Sequence, residues 1–148
     1  MIFLTDKEFL DILNSGEEIK AGSPTHLHMH GLSQRALKLT HEMNDSYHTP
    51  EELQSLMEEL TNGKLEQFSL FPPFYTDCGI NIHLGKNVFI NAGCKFQDQG
   101  GIYIGDDVLI GHNAVLATLN HSLNQYEREN LIPAPIHIGN ITRYHCTS

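Results

Sequence analysis

The first sixty or so residues place apolar side chains at the spacing of short amphipathic helices. Thr5, followed three residues later by Glu8, forms the capping-box pattern that starts a helix, and Gly16 is a suitable stop. The apolar face of this first helix is made by Phe9, Leu10, Ile12 and Leu13.

Two further helices are predicted in the same region. One runs from about 33 to 44, and the other starts at Thr49 as N-cap, has Pro50 at its first position and ends at Gly63. Because helices this short cannot bury their apolar faces alone, we expect residues 1–65 to form an N-terminal helical cap that packs on the rest of the chain.

From about Cys78 the hydrophobic period changes to six residues. An aliphatic or aromatic residue opens each group of six, a glycine often follows, and a small or branched residue stands four positions later. The opening residues are Leu84, Ile90, Phe96, Ile104, Ile110 and Leu116, with a slip of two residues between the third and the fourth.

This period predicts a parallel β-helix. Each group of six supplies a short strand whose opening residue points inward, and Gly or Asn at the turns tolerates unusual backbone angles. Three such faces close a triangular coil of about eighteen residues, and successive coils pair edge to edge. The predicted fold class is therefore α+β, mainly β, with the β-helix over 66–140. Ordinary hairpins with coincidental spacing are the alternative, and the near-regular openings in one register argue against it.

An insert at 117–135 interrupts the repeat, which resumes at Ile136. The insert is polar, rich in Asn and ends in Pro-Ala-Pro, so we expect it to protrude from the coil as a loop. Long loops in compact domains are often functional. His121 lies near the start of this loop, where the rigid backbone of the coil would aim its side chain.

The repeat stops again after Asn140, and residues 141–148 are expected to form a non-repeat tail. The last coil would then present unpaired strand edges. A natural truncation, a frameshift or an incomplete sequence would each produce this pattern.

Composition excludes several classes of function. Nine Lys and Arg against eighteen Asp and Glu give a formal net charge of −9 with no basic stripe, so nucleic acid is not an expected partner. The apolar runs are too short to span a membrane, and the N-terminus is unlike a signal peptide. Cys78, Cys94 and Cys146 form neither a metal knuckle nor a disulfide framework, and reduced thiols imply the cytoplasm.

The segment 72–121 resembles the hexapeptide-repeat sugar O-acetyltransferases, the maltose and galactoside acetyltransferases among them. It contains Pro-Pro-Phe, Thr-Asp-Cys-Gly, Asn-Ile-His-Leu-Gly, Phe-Ile-Asn and Asn-His-Ser-Leu-Asn. The helices before it resemble that family's N-terminal cap. The resemblance implies a left-handed β-helix, a homotrimer with sites between subunits, and transfer of acetyl from acetyl-CoA to the hydroxyl of a sugar or similar small acceptor.

The same resemblance implies the site residues. His121 matches the catalytic histidine, and Asn91 matches an asparagine near the thioester of acetyl-CoA. Asp77 and Asp98 match acidic positions of the acceptor-sugar pocket. Gln99 stands where some members have a second acid, so the preferred acceptor could differ.

These residue types suit acetyl transfer. A neutral imidazole at His121 would remove the hydroxyl proton as the hydroxyl attacks the thioester, and a partner at its other ring nitrogen would orient it. The amide of Asn91 would stabilise the thioester oxygen as charge develops. Asn91 is equally suited to a turn, and Asp98 equally to capping the turn at 100–101.

Two other functions remain open. The family's coils beyond residue 140 bind much of CoA and differ from this chain, so the chain could be a catalytically inactive, truncated assembly module. A zinc-dependent enzyme like the β-helical carbonic anhydrases is the second alternative. Its closely spaced histidine ligands have no match, because His112 and His121 are nine residues apart. The run at 26–30, HLHMH, lacks a Cys or acidic ligand and lies in an expected linker, so no metal is expected.

Overall fold

The computed structural model describes residues 3–145, so Cys146, one of the three expected thiols, lies outside the described residues. The helices are α1 (Asp6–Asn14), α2 (Pro24–Asp45) and α3 (Pro50–Thr61). The strands are β1 (Ser69–Leu70), β2 (Phe74–Thr76), β3 (Ile82–Leu84), β4 (Phe89–Ile90), β5 (Cys94–Gln97), β6 (Ile102–Ile104), β7 (Leu109–Ile110), β8 (Val115–Ala117), β9 (Leu119–His121), β10 (Leu131–Pro133), β11 (Ile136–Ile138) and β12 (Arg143–Tyr144).

Helix α1 starts with the predicted capping box. Thr5 Oγ1 accepts the Glu8 N–H at 3.2 Å, and the Glu8 carboxylate accepts the Thr5 N–H at 2.8 Å. These bonds to Thr5 hold the pKa of Glu8 below its ordinary value. Phe9 and Leu13 of the predicted apolar face are buried.

Helix α2 is longer than predicted, and the difference corrects the interpretation of the histidine run. The helix begins at Pro24, because the Ser23 side chain accepts the His26 N–H and Pro24 occupies the first turn. The run at 26–30 is therefore helical rather than a linker. Histidine and Gly31 are weak helix formers, which hid this first half of the helix in the sequence.

Helix α3 has the predicted start, with the Thr49 side chain accepting the Glu52 N–H and Pro50 in the first turn. Its end differs by one position. Asn62 takes the left-handed conformation at φ 55° and ψ 36°, one position before Gly63, where the sequence pattern predicts the end of the helix. Asn is the non-glycine residue most tolerant of this conformation, so either residue satisfies the pattern.

The strands form the parallel β-helix that the repeat predicts. Three parallel sheets run along it, in the orders β1-β4-β7-β12, β2-β5-β8 and β3-β6-β11. The register between coils is regular: Leu70 pairs with Ile90, and Ile90 pairs with Ile110. Five of the six predicted inward residues are buried, and Leu84 is half-buried. The five are Ile90, Phe96, Ile104, Ile110 and Leu116.

Each coil contains 20 residues, as the pairing of Ile82 with Ile102 shows, and not the eighteen of three regular groups of six. The two extra residues lie at one corner of the triangle, between β2 and β3 in one coil and between β5 and β6 in the next. The slip in the sequence pattern is therefore a constant feature of the coil. This corner also holds the candidate site.

The helices cover the first coil. Helix α2 packs against β2, and helix α3 packs against β1. The side chain of Asn44 in α2 accepts the Phe74 N–H at 2.9 Å and donates to the Phe74 carbonyl at 2.8 Å. Asn44 thus satisfies the edge of β2 as a neighbouring strand would. None of the helices within residues 3–145 is both long and apolar enough to cross a membrane.

The expected non-repeat tail at 141–148 differs in the structure. Arg143 and Tyr144 pair in parallel with Leu109 and Ile110, so the coil continues to Tyr144. The corner before this strand is turned by Ile141 at φ 54°, the place that Asn87 and Asp107 occupy in earlier coils. A β-branched residue is not typical of a turn with positive φ. The six-residue pattern is therefore lost at Ile141, although the coil itself continues.

Candidate active site

Two of the four predicted site residues, Asp77 and Asp98, lie at the corner that has the two extra residues. A third, His121, lies in the insert that starts at this corner. Asp77 follows β2 and Asp98 follows β5 in the next coil. The insert containing His121 follows β8, one coil further along. Because β2, β5 and β8 are neighbours in one sheet, their ends stack along the same edge of the β-helix.

Asp98 is completely buried at this corner. Its Oδ1 accepts hydrogen bonds from Thr76 Oγ1 and the Cys78 N–H, both at 2.8 Å, and its Oδ2 accepts the Asn81 N–H at 3.2 Å. Burial raises the pKa of Asp98 above its ordinary value, while hydrogen bonds from the backbone of Gly79 and its neighbours oppose that shift. The expected contact of this carboxylate with an acceptor does not fit the geometry, because its oxygens are enclosed by the turn at 77–81.

Asp77 is exposed at the same corner. One of its carboxylate oxygens accepts a hydrogen bond from Gln99 Nε2 at 3.1 Å. Gln99 is only 4% exposed, and its Oε1 has no hydrogen-bond partner among the described residues. The pair therefore presents one accessible carboxylate, which Gln99 holds in place.

The insert, expected as a loop, contains a short antiparallel hairpin formed by β9 and β10. We call residues 119–133 the hairpin. At its base, the buried Thr118 accepts the Gly100 N–H at 2.8 Å and donates to the Gln97 carbonyl. The Leu119 N–H donates to Gln97 Oε1 at 3.1 Å. These bonds fix the hairpin to the coil below it.

His121 is exposed on the last residue of β9. Its Nδ1 lies 2.8 Å from the carbonyl oxygen of Arg128, which lies in the turn before β10. A carbonyl oxygen only accepts hydrogen bonds, so Nδ1 of neutral His121 carries the ring hydrogen. The lone pair is then on Nε2, which is the arrangement a general base requires.

Asn91 lies at a different corner. It follows β4 and precedes β5, between the first and second sheets. Its Oδ1 accepts the Ala92 N–H at 2.8 Å, a local turn contact, which leaves Nδ2 as the donor of the amide. The structure therefore does not bring Asn91 to the corner of Asp77 and His121 within one chain.

The other histidines give no metal site. His26 and His30 lie one helical turn apart with ring centroids 4.6 Å apart, but His26 Nδ1 accepts the Gly22 N–H and His28 bonds Asp6. Among residues 3–145, no three His, Cys, Asp or Glu side chains are grouped so that they could hold a metal ion.

Sequence reasoning missed two residues of the site. Arg128 contributes only a backbone carbonyl, which no side-chain pattern reveals. The sequence contains only a weak indication of Thr118. It is a small polar residue at the point where the repeat breaks, directly after β8.

Comparison with known proteins shows which enzymes the chain resembles. Galactoside O-acetyltransferase of Escherichia coli is 33% identical over 130 residues, which are 84% of this chain and 64% of that enzyme. A solved galactoside acetyltransferase in complex with coenzyme A superposes with a TM-score of 0.79 at 27% identity, over 91% of this chain and 68% of that one. The chain is similar in sequence and in fold to the hexapeptide-repeat O-acetyltransferases. No family model matches it.

The structural neighbours of the chain agree with the predicted left-handed β-helix. A hexapeptide-repeat acetyltransferase from Vibrio cholerae has a TM-score of 0.77 at 29% identity and is matched over 90% of this chain and 72% of its own. The chain spans about two thirds or less of the curated relatives it matches: 64% of the Escherichia coli enzyme and 45% of a relative from Staphylococcus aureus.

Proposed function

We propose that this chain transfers acetyl from acetyl-CoA to a hydroxyl of a sugar or similar small acceptor, with His121 as general base. The observation that carries the proposal is the bond between His121 Nδ1 and the Arg128 carbonyl. It fixes the ring on a hairpin and leaves Nε2 exposed with its lone pair. Nε2 would take the hydroxyl proton while the oxygen attacks the thioester carbon and the thiolate of CoA leaves.

The donor is proposed from the relatives. One structural neighbour is a galactoside acetyltransferase bound to coenzyme A, and the Vibrio cholerae protein has been solved with acetyl-CoA. Nδ2 of Asn91 would donate to the thioester oxygen, where negative charge develops during attack.

The acceptor side is proposed to rest on Asp77. Its carboxylate is exposed and strong enough as an acceptor to bind a hydroxyl hydrogen. Asp98 would act indirectly, since its bonds to Cys78 and Asn81 shape the turn that presents Asp77. The neutral Gln99 places a single charge at this point, which would favour neutral acceptors with several hydroxyls.

The site is proposed to form between subunits of a homotrimer in the cytoplasm. Asn91 and His121 lie at different corners of the triangular β-helix, so a second copy is needed to bring the two residue types together. Light scattering should therefore give three times the chain mass, and a monomeric enzyme with full activity would contradict this arrangement.

The test is an assay of acetyl transfer from acetyl-CoA to a panel of sugars. The rate is measured by the release of the CoA thiol. His121→Ala should lower kcat about 10²–10⁴-fold. His41→Ala is the matched control, because His41 is also exposed but lies on helix α2, outside the corners that hold His121 and Asn91. Undiminished transfer by His121→Ala would refute the mechanism. Failure to bind CoA at all would refute the enzyme proposal and favour an assembly role.

A further inference from the structure

The segment that joins α1 to α2 is bonded to the hairpin. We call residues 15–23 the connector. Ile19 pairs with Leu131 as an antiparallel bridge, with the Ile19 N–H donating to the Leu131 carbonyl at 2.7 Å and the Leu131 N–H donating to the Ile19 carbonyl at 2.9 Å. Leu131 is also the residue that pairs with His121 across the hairpin. One row of backbone therefore joins Ile19, Leu131 and His121.

This row is anchored in the helical cap. Ile19 is 2% exposed and belongs to a separate apolar cluster, against which Leu131 packs. The other buried members of that cluster are Phe9, Leu13, Met29, Leu32, Cys78 and Ile80. The hairpin that holds His121 thus gains a second attachment, independent of the bonds of Thr118 at its base.

Asn130 connects the two segments, because its side chain bonds to the connector and its backbone bonds within the hairpin. Its Oδ1 accepts the Ala21 N–H at 3.1 Å, and its Nδ2 donates to a carboxylate oxygen of Glu18 at 2.9 Å. Its own N–H donates to the Glu127 carbonyl, and its carbonyl accepts the Ser122 N–H at 3.0 Å. Asn130 lies two residues after Arg128, whose carbonyl oxygen bonds to His121 Nδ1.

We propose that the connector holds the hairpin of His121 in its working position, and that Asn130 is the positioning residue of this contact. The inference deepens the proposed function and rests on it for its effect on rate. An error of about 1 Å in the placement of a catalytic group can cost as much as 10²-fold in rate. Loss of the connector contact should therefore lower kcat without removing any group that touches substrate.

The first test compares Asn130→Ala with Asn124→Ala, whose amide bonds only within the hairpin, to Glu127 and Tyr126. In Asn130→Ala, hydrogen exchange at the Ile19 and Leu131 amides should be at least tenfold faster. Nitrogen NMR of the His121 ring should show a smaller share of the form protonated at Nδ1, and kcat should fall about tenfold. Asn124→Ala should change none of these.

The second test restores the contact with donor and acceptor exchanged. Asn130→Asp should loosen the hairpin, because its carboxylate faces that of Glu18. Adding Glu18→Gln to this variant supplies a donor and should return the amide exchange and the His121 ring to within about twofold of the wild type.

Three outcomes would overturn the inference: unchanged exchange in Asn130→Ala, faster exchange with the ring and kcat unaltered, or no recovery in the double variant. The proposed function fails separately, if the wild-type chain transfers no acetyl. The exchange and ring measurements still decide in that case whether the connector holds His121 in place.

Discussion

Thr76 and Asp98 are hydrogen-bonded at 2.8 Å across two successive coils of the β-helix. Both side chains are buried, and the carboxylate of Asp98 is surrounded by donors: the hydroxyl of Thr76 and the backbone N–H groups of the turn after it. A carboxylate offers only acceptors, so it suits this enclosure as no neutral side chain of its size does.

Asp98→Asn should therefore destabilise the fold. The amide replaces one acceptor with an NH2 group that points at N–H donors, and a buried polar group left without a partner costs about 1–3 kcal/mol. Urea unfolding measures the loss. Asp107→Asn is the control, since Asp107 is exposed and its change should stay within about 0.5 kcal/mol. Equal effects of the two substitutions would show that the enclosure of Asp98 contributes nothing.

Gly79, in the same turn, should not tolerate a side chain. Its φ is +86°, and a Cβ there would lie 2.6 Å from Leu60 Cδ1 and 2.7 Å from the Leu60 carbonyl oxygen. Gly79→Ala should cost about 3 kcal/mol or more, because backbone strain and overpacking add. Gly16 has φ +77° with open space around it, so Gly16→Ala should cost only about 1 kcal/mol. The free energies of unfolding of the two variants separate backbone strain from the collision of the added Cβ with Leu60. A loss in Gly79→Ala no larger than in Gly16→Ala would exclude the collision.

His83 should make stability depend on pH. Its ring stacks on Tyr103 with centroids 4.6 Å apart, and His137 stacks on the other side of Tyr103. Burial lowers the pKa of His83, with Asp98 opposing the shift. Because the folded-state pKa lies below the unfolded value of about 6.5, the stability associated with neutral His83 is present above that pH. It is lost as the pH falls through the folded-state pKa.

His83→Phe keeps a ring against Tyr103 and removes the titration. Between pH 7.5 and pH 5, this variant should lose less unfolding free energy than the wild type. His112→Phe, which changes an exposed histidine, should keep the wild-type dependence. A His83→Phe variant with the wild-type pH profile would assign the acid sensitivity to other groups.

Thr118 should stabilise the base of the hairpin. Thr118→Val keeps the shape of the side chain but leaves the Gly100 N–H and the Gln97 carbonyl without their hydroxyl partner, at a cost of about 1–3 kcal/mol. Thr142→Val is the comparison, because the Thr142 hydroxyl bonds to carbonyls in an exposed turn. In thermal unfolding, Thr118→Val should therefore lose more stability than Thr142→Val. The reverse order would show that Thr118 does not stabilise the base of the hairpin.

The repeat predicted the architecture well because its signal is physical and local. Residues such as Ile90 and Ile110 must be apolar to fill the interior of the coil, and that requirement recurs at fixed spacing. The first half of α2 and the corner at Ile141 were missed for the opposite reason. There the chain takes a conformation that its local residues do not favour, and contacts made elsewhere in the fold decide it.

The candidate site was predictable only in part. His121 stands out because it follows a break in the repeat, and Asp77 because it matches an acidic position of the family that the sequence resembles. The enclosure of Asp98 depends on the coil before it, and the partner of His121 is a backbone carbonyl seven residues away. Neither relationship leaves a trace in residue type, so both required the structure.

The coil keeps its register on both sides of the insert. Ile102 pairs with Ile82, 20 residues before it, and with Ile136, 34 residues after it. The corner can therefore accept peptides of different length while the sheets pair as before. This makes it a point at which evolution, or a protein engineer, can exchange one loop for another and so change which molecules are bound, with the scaffold and its stability left largely intact.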